Sequence, residues 1–122
     1  MPPGQPVLQL GEGTFDSLLF GGSTTEVRVG GQPGDTAFLV ASPELGPSVA
    51  PGIVALDIGL GFSSLFFLGA QTIEPKAWTQ FDLPVPHVPS PLLLYLQAVE
   101  LDAAGLALPA EVTNTVQCHI SP

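Results

Sequence analysis

The chain has 122 residues, eleven acidic side chains against two basic ones and a net charge of −9, and it is 45% hydrophobic with a mean hydropathy of +0.43. Nucleic acid and anionic membrane surfaces are excluded as partners, because both are held by Lys and Arg neutralising phosphate. A single cysteine, Cys118, excludes an internal disulfide.

Charged residues make up only 11% of the chain, against roughly a quarter in an ordinary soluble domain. The surface must therefore be built from Gly, Pro, Ser, Thr, Gln and apolar groups, a composition that favours association. The length suits one domain with a core that needs no staples. Met1-Pro-Pro-Gly is neither basic nor apolar, so no signal peptide is expected within the chain. The longest apolar run, Leu92 to Leu101, is interrupted by Gln97 and Glu100 and is too short for a membrane helix.

Fourteen glycines and fourteen prolines are spread so evenly that no window keeps a helical period free of them. The expectation is an all-β fold of about eight short strands, a single antiparallel β-sandwich of immunoglobulin-like or jelly-roll-like type. Residues 1–13 read as an extended lead with a candidate edge strand at Val7–Leu10, and residues 14–122 as the sandwich domain. That edge strand offers a way to pair with a neighbouring copy. Thr14–Phe20 reads as a strand or a single helical turn.

Thr24–Val29 alternates, with Val27 and Val29 inward. Gly30 to Asp35 is a tight turn signal, and Thr36–Ala41 is apolar on both faces, so the two segments read as a hairpin. Ser42–Gly52, with its three prolines, reads as a loop. Ile53–Ile58 and Ser63–Leu68 read as strands, the second apolar on both faces. Gln71–Ile73 is strand-like. Ala77–Leu83 alternates, with Phe81 and Leu83 inward and Trp78 at least partly exposed. Pro84–Pro91 has four prolines in eight residues and reads as an extended crossover. Leu92–Leu101 is too apolar to have a wet face and reads as the central strand. Asp102–Ala110 is a loop. Thr113–Ser121 alternates cleanly, with Val116, Cys118 and Ile120 inward and Thr113, Thr115, Gln117 and His119 outward.

The order of these pieces resembles the β-rich C-terminal accessory domains of large secreted bacterial proteins. The matching residues are Phe20-Gly21-Gly22, Val27-Arg28-Val29-Gly30-Gly31-Gln32-Pro33-Gly34, Pro84-Val85-Pro86, Tyr95-Leu96-Gln97-Ala98 and Thr113-Asn114-Thr115-Val116. The Cys- and Gly-rich leading segment often seen there is missing from this chain. The resemblance implies a sandwich-like, noncatalytic accessory domain outside the cytoplasm, secreted or on the cell surface. It carries no catalytic residues over.

Few side chains suggest chemistry. Cys118 and His119 are strand neighbours and point to opposite faces, so they form no catalytic pair, and Cys118 reads as core. His87 and His119, the only histidines, lack metal-ligand spacing, so no metal or other cofactor is expected. Asp35 and Asp102 follow turn signals. They read as turn residues, with calcium ligation as the alternative. No nucleophile-elbow, P-loop or dinucleotide motif is present. The polar ladder Thr115, Gln117, His119, with Trp78 and Tyr95, suits stacking and hydrogen bonding to a sugar.

Three functions follow as expectations. The first is a noncatalytic module for adhesion, anchoring or assembly, whose partners are other copies or neighbouring domains. The second is a carbohydrate-binding module on the ligand face Trp78, Tyr95, Thr115, Gln117, His119, with cell-surface polysaccharide as partner. The third is a small metal-dependent or hydrolytic enzyme.

Overall fold

The computed structural model describes residues 7–10, 16–102 and 110–122. Its elements are β1 (Val7–Leu10), β2 (Asp16–Phe20), β3 (Thr24–Gly30), β4 (Thr36–Ser42), β5 (Leu45–Ala50), β6 (Val54–Ile58), β7 (Phe66–Thr72), β8 (Trp78–Pro84), β9 (Leu92–Leu101), β10 (Glu111–Val112) and β11 (Val116–Ser121). The class is all-β, as the dense Gly and Pro punctuation dictates. Most of the 1–13 lead and nearly all of the Asp102–Ala110 loop lie outside the described residues.

The strands form a small sheet, β1-β3-β8, a large sheet, β2-β11-β9-β4-β7, and a separate β5-β6 hairpin. β10 adds to β9, and all pairs are antiparallel except β2 with β11. The two sheets form a sandwich. Leu8, Val27, Val29 and Phe81 of the small sheet bury against Leu39, Leu96, Ala98, Val116 and Cys118 of the large one. A second core lies on the other side of the large sheet, where Leu56 and Ile58 of β6 pack with Val40, Tyr95 and Val99. The chain is thus three layers deep at β9. That is why Leu92–Leu101 has no wet face: alternate side chains serve different cores.

The expected hairpin of Thr24–Val29 with Thr36–Ala41 does not form. β3 pairs with β1 and β8, and β4 with β7 and β9, so the turn between them carries the chain from one sheet to the other. The turn docks elsewhere: Gly31 N–H donates to Ala77 O, Gly34 N–H to Ile73 O, and Ile73 N–H to Asp35 O. A Cβ on Gly31 would sit 2.8 Å from Ile73 Cδ1 and 2.9 Å from Glu100 Oε2, so any larger residue there would have to push the ends of those two side chains aside.

Ser42–Gly52, expected as a loop, contains β5. Its glycine and proline fall in an irregularity, where the pairing steps from Leu45–Ile58 to Ser48–Leu56 and leaves Gly46 and Pro47 out of the ladder. The strand expected at Ser63–Leu68 begins at Phe66 and runs to Thr72, absorbing most of the strand-like Gln71–Ile73. Thr14–Phe20 resolves to a strand over Asp16–Phe20.

Side-chain bridges close both flanks of the sandwich. Thr79 Oγ1 of β8 donates to Gln71 Oε1 of β7 at 2.6 Å. On the other flank Asn114 mimics a strand: its Oδ1 accepts from Leu8 N–H at 2.9 Å and its Nδ2 donates to Leu8 O at 3.0 Å. β1 is therefore an edge strand held inside its own chain, with Leu8 fully buried. Replacing Asn114 with alanine removes both bonds, and an expected loss of about 1–3 kcal/mol is read from the urea midpoint.

Candidate functional site

Sheet alternation decides where the candidate residues lie. On β11, Val116, Cys118 and Ile120 are buried, while Gln117 is half-buried and His119 exposed, as expected. Gln117 Nε2 donates to His119 Nε2 at 2.8 Å, so these two side chains satisfy each other. Thr115 lies beyond the end of β11, with Oγ1 3.4 Å from Asp57 Oδ2. Thr113, expected on the same polar face, is buried. Its Oγ1 accepts from Ala98 N–H at 2.9 Å and donates to Asn114 O at 2.8 Å.

The two aromatic residues do not join this face together. Tyr95 is in register with Gln117, but it is half-buried against the second core. Trp78 belongs to the small sheet, opposite Gly30 on β3, and faces away from the sandwich core. Both basic residues of the chain sit at its ring, Lys76 Nζ 3.8 Å and Arg28 Cζ 4.7 Å from the ring centroid. Cation–π contacts of this kind use the ring face that a sugar would stack on.

Asp35 N–H donates to Gln32 O within the turn. Its carboxyl meets a group that sequence reasoning passed over. Glu100 on β9 is 5% exposed, and its Oε2 accepts from Gln32 N–H at 2.8 Å. Glu100 Oε1 is buried without a partner. Burial, then a side-chain hydrogen bond with Asp35, then the charges of Asp35 and Glu111 push its pKa up to about 7, against the lowering effect of Gln32 N–H. A carboxyl interrupting an apolar strand was the available signal. Asp102 follows β9, half-buried. Among the described residues no three His, Cys, Asp or Glu side chains converge as a metal ion needs. His87 lies against the Gly21-Gly22 turn, where a Cβ on Gly22 would be 2.7 Å from the imidazole.

A cavity of about 350 Å³ opens between the sheets, lined by Leu83, Val85, Leu94, Leu96, Ile120 and others. Thr25 and Cys118 contribute the only polar side chains among its described lining. Such a wall can shelter hydrocarbon but offers no acid or base to a reaction.

The most unusual surface lies at the β7 edge. β7 pairs with β4 on one side and, among the described residues, with no strand on the other. The strand expected here, Ser63–Leu68, reads as apolar on both faces. Yet Phe66, Phe67 and Leu68 are all exposed, Phe67 at 64%. Leu45, Leu60 and Phe62 extend the exposure. Leu60 and Phe62 have φ of 43° and 68°, between Gly59 and Gly61 at 97° and 70°. Left-handed backbone costs a non-glycine residue roughly 1–2 kcal/mol. Buried Ser48 holds this loop, its Oγ donating to Ile58 O at 2.7 Å and accepting from Phe62 N–H at 2.9 Å. Ser64 Oγ, 2.9 Å from Ser42 Oγ, ties the loop to the end of β4 beside Phe66. A two-sided apolar run usually means burial, so the local pattern gives no sign of this exposure.

No family model matches the chain, and no curated protein matches its sequence.

Proposed function

We propose that the chain is a noncatalytic β-sandwich module of a secreted or cell-surface protein, which binds other protein through the uncharged edge of its large sheet. The observation that carries this reading is that Phe66, Phe67 and Leu68 stand in solvent on a strand edge that no described strand pairs with. Phe67 stands on one face of β7 and Phe66 and Leu68 on the other, and large apolar side chains clustered in solvent around one strand edge mark an interaction site. Strand addition supplies backbone hydrogen bonds on such an edge, and the flanking side chains supply the fit. Adhesion, anchoring and assembly all use that mode.

The carbohydrate reading has less support. Trp78 and Tyr95 lie on different sheets, and Trp78 already holds both cations. The two readings separate in one experiment, in which the immobilised domain is offered purified copies of itself, neighbouring domains and a polysaccharide panel. Protein capture that survives 1 M salt and is lost in Phe66→Ser is expected, since apolar contacts are not screened. Polysaccharide capture alone, lost in Trp78→Ala, would replace this reading with the carbohydrate one.

A further inference from the structure

We propose that the β7 edge, with the Gly59–Leu65 loop beside it, is the contact between two copies of this chain. The inference rests on reading the domain as a protein-binding module and names the partner.

Charge selects the partner. No charged residue occurs between Asp57 and Glu74, so β7 and the loop form a neutral zone on a molecule of net charge −9. Two such copies repel at most approaches within a Debye length of roughly 8–10 Å. They meet with least repulsion where both are uncharged. A basic partner would find only Glu44, beside Leu45 at the margin of this zone, to pair with.

Geometry agrees. A free strand edge is its own complement when a second copy approaches antiparallel about a two-fold axis, the isologous arrangement of closed dimers. Natural edges are usually blunted by Lys, Pro, inward charges or a bulge; β7, Phe66–Thr72, has no Lys, Pro or charge, and its one irregularity is the bulge at Leu68 in its pairing with β4, which leaves Gly69–Thr72 regular for a copy to pair with. Pairing β7 with its copy would give one continuous sheet through both molecules.

Area is sufficient. Leu45, Leu60, Phe62, Phe66, Phe67 and Leu68 are between 40% and 64% exposed. Taking large side chains at about 150–250 Å² each, they present roughly 600 Å². With the strand backbone added this approaches the ~800 Å² per partner of a stable interface. The left-handed backbone at Leu60 and Phe62 fits the same purpose. It holds two apolar side chains in solvent that a relaxed turn would not have to display.

The test is light scattering and sedimentation across a concentration series. The wild type is expected to be a dimer that tightens as salt rises, because screening removes the repulsion between copies. Phe67→Lys is expected to weaken the dimer by at least about tenfold while the circular dichroism melt of the monomer is unchanged. Ile53→Lys, an exposed apolar position in the β5–β6 turn beside Ala110, is expected to leave it intact. A wild type that stays monomeric at millimolar concentration overturns the proposal, as does a dimer that Phe67→Lys leaves unchanged or Ile53→Lys disrupts equally. If the monomeric domain still captures a neighbouring domain in a Phe66-dependent way, the module reading stands and only the partner is wrong.

Discussion

Replacing Gln97 with leucine is expected to destabilise the domain by about 2–4 kcal/mol. Gln97 is fully buried in the second core, midway along the central strand. Its Oε1 accepts from Asp57 N–H at 2.8 Å. Its Nε2 donates to Thr113 O at 2.8 Å and to Asp57 Oδ2 at 3.3 Å. One amide thereby ties three segments together: β6 of the outer hairpin, β9, and the approach to β11. Leucine has the right size but leaves the part-buried Asp57 N–H and the buried Thr113 carbonyl without their partner. The penalty for an orphaned buried polar group exceeds the net gain of making the bond.

The loss should be uneven across the molecule. The sandwich core between the two sheets does not include Gln97, so β3 and β8 should keep most of their hydrogen-exchange protection. Among the described residues the β5-β6 hairpin pairs with no other sheet, so amides of Val54–Ile58 should lose protection first. Uniform loss across both cores would show that the hairpin is not a separately docked layer. Gln97→Glu is expected to be worse above neutral pH, because it removes both Nε2 donors and sets a second carboxylate against Asp57.

What the chain discloses of this architecture depends on how many constraints a segment meets at once. β9 was legible because its apolar run could only be a strand buried on both faces. β11 was legible because Val116, Cys118 and Ile120 alternate with polar residues. That the β9 run needs a second covering layer follows from the same apolarity. The layer itself was hidden, because β5 carries Gly46 and Pro47, which signal a loop unless the irregular pairing around them is known. The connection from β3 to β4 was misread for a related reason. A Gly-Pro-Gly turn between two alternating segments describes a hairpin and a sheet-to-sheet crossover equally well, and only the packing of Gly31 against Ile73 and Glu100 distinguishes them. At the candidate site, Phe66 to Leu68 announced burial by composition. Their exposure follows from edge position in the sheet, a property of the whole topology rather than of the local pattern.

Glu100 should make stability fall with rising pH in a range where most acidic domains are insensitive. In the unfolded chain its carboxyl titrates near the ordinary 4.5, and in the folded protein near 7. Below pH 4.5 both states carry the proton, and the group's full contribution to stability is present. As pH rises from there the unfolded chain releases the proton first, and folding must hold it or bury a charge. The contribution is lost through pH 7 and levels off above it. A difference of that size corresponds to about 3 kcal/mol, or on the order of 10 °C in melting temperature for a chain of this length. No cation is among the causes of the shift: its neighbours are the carboxyls of Asp35 and Glu111, while Arg28 and Lys76 sit at Trp78. Glu100→Gln separates this group from the general repulsion of a molecule at −9. The amide cannot ionise, its oxygen can accept from Gln32 N–H, and its nitrogen can donate to the Asp35 carboxylate. The variant should match the wild type near pH 4.5, exceed it by about 2–3 kcal/mol at pH 8, and lose most of the slope between. Melting curves of the two proteins at those two pH values decide it. Parallel pH profiles would mean that Glu100 does not carry this pH dependence.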